Sequence, residues 1–528
     1  MERTGVDTAA GRGRASGEKR LLWAAVFTLL WGAVTYLYAF LNFTVSHDSL
    51  GEFYGGQRFN GDYLWGESWK IALGRFLVPV YQKLLRGQLT VPWLIGVLSL
   101  AGLVLIVCLL TRAFDLSAPA EVFLLAGSVV TCPAVFTAAG AYIHDMDSFV
   151  LAILMNVLAV VCWNTGNRRM LAPGAVCICV GLGLYQSDLS IAVMGVMALS
   201  LVRLAGGERA GRVLVRGLEA IGMILAGLLM YAVALRLACR LAGVSLYTGS
   251  YNSITNLLSE GTRSHLGQNL LSCYRDAFRV LLVGHFGHGD TVSPVQCVVL
   301  LGTLAALIGR AARSRIAWPA ALLMAALAAA LPLGANLSLV ANDGSVHDLM
   351  KAGFAGMCWL SLLAVWPWRL SRRRAVRWSA WLVLGCLGFT LWQSAVDANH
   401  LYLKKDLERQ ATLSLMTRAA DDLEKQAGYV PGETPVVFLG TPGVRLELPE
   451  ELRYLEGYTG GWSLSQITDS KQYGAYFRYV LQLRVNLCDD WTRLALEDNE
   501  QVRQMPAYPQ EGSVRMVDGV LVVKMSAQ

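Results

Sequence analysis

Eleven apolar stretches constrain this 528-residue chain more than any other feature. They fall at about 21–41, 91–110, 119–140, 148–163, 171–185, 188–204, 214–238, 291–309, 317–335, 349–368 and 377–396. A hydrocarbon core of about 30 Å calls for roughly 17–25 helical residues, and most of the stretches meet that length. The fifth and sixth are short. The run from Leu171 to Leu204 is too long for one helix and is interrupted by Tyr185-Gln186-Ser187-Asp188, so it reads as a helical hairpin with a polar tip. Charged residues make up only 16% of the chain, against about 25% in soluble proteins. With a mean hydropathy of +0.45, that excludes an ordinary soluble enzyme and a disordered or fibrous chain. The expected fold class is a polytopic α-helical membrane protein.

Lys and Arg orient the spans. A basic tail over 1–20 (Arg12, Arg14, Lys19, Arg20) precedes the first span. Further clusters are Arg168/Arg169, Arg203/Arg209/Arg212/Arg216, Arg310/Arg313/Arg315 and Arg369/Arg372/Arg373/Arg374/Arg377. With eleven spans, all of these lie on one side, expected to be cytoplasmic. The opposite loops 141–147 and 336–348 hold no Lys or Arg. The first apolar core is too long for a cleavable signal peptide. A membrane domain is therefore expected over 21–396. The outer loops 42–90 and 239–290, the 185–188 tip and a polar tail over 397–528 face outward, together with all seven His. The tail has a net charge of −5 and the remainder +12. The basic residues occur as short clusters between apolar runs, which does not indicate nucleic-acid binding. Nine of the 11 Cys lie in or beside apolar stretches, only Cys273 and Cys488 fall in polar loops, and no disulfide framework is indicated.

The tail has its own pattern. Residues 397–427 read as an acidic-basic surface helix continuing the last span. Val436-Val437-Phe438-Leu439-Gly440 reads as a short buried strand, and Asp518-Gly519 between two Val-rich runs is a hairpin signal. A small α/β domain follows from these elements.

Candidate chemistry gathers on the outward side. His47-Asp48 lies a few residues beyond the first span. Over Lys70 to Arg86, Leu73, Leu77, Val80 and Leu84 share one helical face, with Arg75, Gln82 and Arg86 opposite. That division reads as an interfacial helix, packed on the membrane surface or turning its cations toward anionic headgroups. His144, Asp145 and Asp147 cap the third and fourth spans, and Tyr185, Gln186 and Asp188 form the hairpin tip. Acidic groups at the mouth of a bundle are costly unless solvated or used, although Asp147 and Asp188 also suit helix N-caps. Lys351, at the start of the tenth span, reads as a snorkelling anchor or a phosphate ligand. His285, His288 and Asp290, interspersed with Gly, are a weak metal signal, and no cofactor is called for. Asn342-Asp343-Gly344 reads as a turn.

These elements resemble, in their order, the bacterial O-antigen glucosyltransferases of the serotype-converting type II class, which have a GT-C-like membrane fold. The resemblance rests on His47-Asp48, Gly74-Arg75, the Tyr142 to Asp147 stretch and Leu184-Tyr185-Gln186. In the tail it rests on Pro435 to Gly440, Gly457-Tyr458 and Met505 to Pro509. The family pattern tends to carry two acidic residues where this chain has His47-Asp48, with Glu52 nearby. The resemblance implies a multi-pass protein of the bacterial cytoplasmic membrane. It would move a hexose, often glucose, from a polyprenyl-phosphate carrier to a lipid-linked or surface glycan, inverting the anomeric centre. Asp48 would be the general base. Arg75 and then Lys351 would hold the donor phosphate, while His47, His144, Asp145, Asp147, Tyr185, Gln186 and Asp188 would bind substrate. A flippase for lipid-linked sugar, or a glycan polymerase or ligase using a diphospholipid donor, stays open at the level of sequence.

Overall fold

A computed structural model describes residues 4–42, 46, 49–50, 68–87, 89–247, 265–283, 292–341, 346–443 and 447–526. His47, Asp48, Glu52, the His285–Asp290 segment and Asn342-Asp343-Gly344 lie outside the described residues. The chain forms two compact units, one of Met1–Leu41, Gly61–Ala139 and Asp145–Asn399, the other of Asn42–Asn60, Gly140–His144 and His400–Gln528.

The first unit is helical. Eight helices among the described residues are long and apolar enough to cross a membrane: Gly17–Leu41, Pro92–Ala113, Ile143–Asn164, Gln186–Ala205, Ala210–Ala242, Pro294–Arg313, Trp318–Ala335 and Arg374–Glu424. Helices Pro119–Val130 and Pro133–Ala141 make a ninth if taken as one span bent by 43°. Pro133 explains the bend, since its ring lacks the N–H that would continue the helical ladder. Where the fifth and tenth spans were expected, helices Leu171–Leu184 and Ala355–Val365 have only 14 and 11 residues. At 1.5 Å per residue those reach roughly 21 and 16 Å, less than a hydrocarbon core.

The Leu171 to Leu204 run breaks at its polar residues, but it does not form a packed hairpin. Tyr185 is extended (φ −156°, ψ 114°) and a 3-10 turn, Gln186–Asp188, leads into helix Leu189–Ala205. The first arm packs against Met146–Asn164 and Ala210–Ala242, whereas the second packs against Trp318–Ala335 and Ala355–Val365. The spans Ile143–Asn164 and Gln186–Ala205 are the most enclosed, 78% of their apolar window being buried against 22% for Pro294–Arg313. Their polar tips are therefore set among packed helices.

The Lys70 to Arg86 stretch is not one interfacial helix. It consists of helices Ser68–Ala72 and Leu77–Leu85, separated by a turn in which Gly74 has φ +83°. Lys70 and Gln82 are buried and Arg86 pairs inward with Asp147, while Lys83, Leu84 and Leu85 are exposed.

The second unit contains a four-stranded sheet in the order β2-β1-β4-β3: β1 Pro435–Leu439, β2 Asn486–Leu487, β3 Val514–Val517 and β4 Val520–Lys524. β1 is parallel to β2 and β4, and β3 pairs antiparallel with β4. Strand alternation divides the core. Val436, Phe438, Leu521 and Val523 pack with Leu415, Met416 and Ala419 of the long helix. Val437, Leu439 and Val522 pack with Leu496, Val502 and Met505 on the opposite face. Asp518 and Gly519 both have positive φ, as a tight two-residue hairpin requires.

The acidic-basic helix of the tail is not simply a surface helix. Lys404, Lys405 and Glu408 are buried, and each Nζ bonds the same carboxylate, at 2.7 and 2.9 Å. The two ammonium groups also donate to the Ser463 carbonyl (2.6 Å) and hydroxyl (2.7 Å), which secures the 460–466 loop to the helix.

At the end of β1, Gly440 has φ +79°, and a Cβ there would lie 2.0 Å from Ser526 Oγ and 3.1 Å from its backbone nitrogen. Gly440→Ala should lower the stability of the protein by about 1–3 kcal/mol, through left-handed strain and a displaced C-terminal segment. Gly428→Ala (φ +82°) meets nothing within 4 Å and should cost about 1 kcal/mol. Thermal unfolding in detergent would compare them, and equal losses would contradict the steric account.

Candidate functional site

The polar tips of the two enclosed helices meet the 68–87 loop within the first unit. Asp145 and Asp147 open helix Met146–Asn164; the N-cap position, Asp145, makes no side-chain cap bond, while Asp147 Oδ1 accepts from the Ser148 backbone N–H at 3.0 Å. Both carboxylates also take cations. Lys70 donates to Asp145 Oδ2 and Gln82 Nε2 donates to Oδ1 at 2.9 Å. Arg86 Nε donates to Asp147 Oδ2 at 2.6 Å, with Nη2 3.3 Å from Oδ1. Tyr81 adds its hydroxyl at 3.1 Å. The side chains of Arg86 and Asp147 are 1% and 0% exposed. Burial, and then the charge of Asp147, hold the Tyr81 phenol above its usual range, so it remains a donor.

The Gln186–Asp188 turn is held to the same loop. Gln186 Nε2 donates to the Leu73 carbonyl and to Tyr231 Oη, each at 3.0 Å, and Tyr231 donates to the Gly74 carbonyl at 3.0 Å. These bonds fix the turn that presents Arg75. The Arg75 guanidinium lies 4.7 Å from the Tyr185 ring centroid and 5.8 Å from that of Phe149, a placement favourable for a cation over an aromatic face. Asp188 is 2% exposed, makes no cap bond to the helix it precedes, and is close enough to feel the Arg75 charge. Among the described residues, Arg75 Nε and Asp188 Oδ2 are both buried without a hydrogen-bond partner.

Lys351 is placed differently from expectation. Its turn, 348–354, packs beside Gln186–Asp188, but its ammonium is 2.9 Å from Asp276 Oδ1 and 3.6 Å from Asp348. It is ion paired with both carboxylates. Cys273 is not in a polar loop but buried in helix Leu266–Phe278, near the Asn336 carbonyl. His144 belongs to the second unit, where its Nδ1 is 3.1 Å from Ser49 Oγ and the nearby Ser46 hydroxyl donates to the Ala141 carbonyl. Among the described residues no three His, Cys, Asp or Glu groups converge as a metal site.

Lys70, Tyr81, Gln82, Arg86 and Tyr231 are site residues that sequence reasoning did not select. The signal was present as three polar residues on one face of a short amphipathic stretch, but their partners lie more than 60 residues away in the chain. The site as a whole holds three cations, Lys70, Arg75 and Arg86, with three carboxylates. Lys70 and Arg86 are neutralised by direct ion pairs, whereas Arg75 makes none within 4.0 Å among the described residues. A part-buried guanidinium with an enclosed Nε, supported by aromatic faces and lacking a paired carboxylate among the described residues, suits an anionic ligand.

Fold and site together define a polytopic helical membrane protein with a buried, charge-paired centre at its helix tips. The chain belongs to the Glucosyl transferase GtrII family, whose family model matches residues 37–358. That stretch contains every residue of the centre and stops before helix Arg374–Glu424, so the tail motifs lie outside it. No curated protein matches the chain. It is a membrane glucosyltransferase by family.

Arg86→Met should leave Asp147 buried without its cation and destabilise the protein by about 3–5 kcal/mol. Arg86→Met combined with Asp147→Leu should recover most of that loss. Thermal unfolding of the wild type, both single variants and the double variant would measure the coupling, and purely additive losses would contradict a direct pair.

Proposed function

We propose that the chain transfers glucose from a polyprenyl-phosphate carrier to a surface glycan on the outer side of the bacterial cytoplasmic membrane, inverting the anomeric centre, in a GT-C-like fold. Its N-terminus would be cytoplasmic and the 397–528 tail extracytoplasmic. The observation that carries this reading is Arg75: of Lys70, Arg75, Arg86 and Lys351, it is the cation without a carboxylate in ion-pair contact among the described residues.

The chemistry requires one such cation. The acceptor hydroxyl oxygen attacks the anomeric carbon, Asp48 takes the hydroxyl proton, and the bond from that carbon to the phosphate oxygen breaks. Polyprenyl phosphate leaves with the bonding electrons, so negative charge on its oxygens grows in the transition state. Arg75 would bind the phosphate and stabilise the added charge, an interaction stronger in the transition state than in the ground state. The Tyr185 ring would orient the guanidinium, and Gln186 would hold the Leu73–Gly74 turn from which Arg75 projects. Asp145 and Asp147 act indirectly, by neutralising Lys70 and Arg86. Asp188 would accept a hydroxyl of the bound sugar. For Asp48 the support is indirect: Ser46 and Ser49, on either side of His47-Asp48, are buried and held by Ala141 and His144.

Purified protein given polyprenyl-phosphate-glucose and an acceptor glycan should release polyprenyl phosphate. Asp48→Asn should abolish the release, and Arg75→Ala should lower kcat by about 10²–10³, the loss typical when one donor to a developing oxyanion is removed. Wild-type turnover in either variant would withdraw that residue's role. Movement of the donor across vesicles with no glycosidic bond formed would indicate a flippase instead.

A further inference from the structure

The first unit contains a second feature, which the transfer chemistry does not use. A partly open cavity lies between the Ser128–Pro133 bend, the 280–281 segment and the helices Pro294–Arg313, Ala355–Val365 and Arg374–Glu424. Six hydroxyl side chains line it, yet its surface is mainly apolar. Ser128, Thr131, Thr303, Ser361, Thr390 and Ser394 each donate to a carbonyl one turn earlier on their own helix, at 2.7–3.2 Å. Their protons are turned to the backbone, and methyl and methylene groups face the space. Gln296 is the polar exception in the lining, its Oε1 buried without a hydrogen-bond partner among the described residues; the rest of the lining suits an apolar chain better than water.

The cavity adjoins the charged centre of the same unit. Pro133 lines the cavity, while the next residues, Ala134 and Val135, line the small pocket that holds Tyr185 and Asp188. The 349–354 segment is divided in the same way, with Leu349 on the pocket and Phe354 on the cavity. The 133–135 and 349–354 segments thus border both spaces, so the apolar cavity shares two walls with the pocket that contains Tyr185, the ring nearest the Arg75 guanidinium.

We propose that this cavity binds the isoprenoid units next to the donor phosphate and makes transfer depend on the length of the lipid chain. This inference rests on the donor assigned under Proposed function. The tail contributes by burial, so its loss weakens donor use without touching the groups that move the proton or hold the phosphate.

Two substitutions would narrow the cavity from opposite walls, Leu300→Trp on Pro294–Arg313 and Thr390→Phe on Arg374–Glu424. Each would be assayed with a long polyprenyl-phosphate glucose and with methyl-phosphate glucose, which has no isoprenoid unit, using the whole protein in nanodiscs. Both should lower kcat/KM for the long-chain donor about tenfold more than for the methyl donor, the loss expected when two or so methylene groups are denied burial. An unchanged ratio would overturn the cavity assignment, whether both donors survive or both fall in parallel. If the wild type transfers glucose from neither donor, the donor reading itself falls, an outcome distinct from an unmoved ratio.

Discussion

Two carboxylates at a helix tip, Asp145 and Asp147, govern the arrangement of the first unit. They open one of the most enclosed helices, where an ionised carboxylate without a partner is too costly to keep. The neutralising cations come from a distant part of the chain, Lys70 and Arg86, and Gln82 and Tyr81 complete the acceptor shells. Satisfying both carboxylates at once draws the 68–87 loop inward and bends it at Gly74. The bend sets Arg75 over Tyr185, and it turns Leu84 and Leu85 outward, 71% and 61% exposed.

Features that depend on local pattern were legible in the sequence. The long spans follow from length and apolarity. The β3–β4 hairpin follows from Asp-Gly between Val-rich runs, and β1 from a five-residue apolar run ending in Gly. The loop was harder to read. A helical wheel correctly groups Gln82 and Arg86, yet it cannot say what they face, because Asp145 and Asp147 are 63 and 61 residues further along the chain. An amphipathic stretch looks the same whether its polar face meets headgroups or a buried acid. Lys351 follows the same logic, since its partner Asp276 is 75 residues earlier. The Leu171 to Leu204 break was visible from its polar residues, but periodicity carries no information on which neighbours each arm joins.

The helix that begins at Arg374 shows how composition can mislead. Beyond residue 400 its alternating charges suggest a solvated surface, but Lys404, Lys405 and Glu408 are fully or almost fully buried and bond one another and Ser463. Two ammonium groups on one carboxylate, with a carbonyl and a hydroxyl completing their shells, let a charged stretch pack inside. Spacing alone distinguishes this poorly from surface i,i+4 pairs, because the geometry along the helix is the same and only the covering loop differs.

The centre separates structural charge from charge available to a ligand. If Asp145 or Asp147 faced Arg75 directly, the guanidinium would be neutralised, and an incoming phosphate would have to displace a carboxylate. Pairing them with Lys70 and Arg86 removes that competition. Arg75 is held by aromatic faces, which stabilise a cation without cancelling its charge, and Asp188 lies near without forming a direct pair. Such a centre is less comfortable empty than a fully paired one, because a buried guanidinium nitrogen lacks a partner among the described residues. That residual cost favours binding of an anion, and it would be relieved further as the leaving phosphate gains charge.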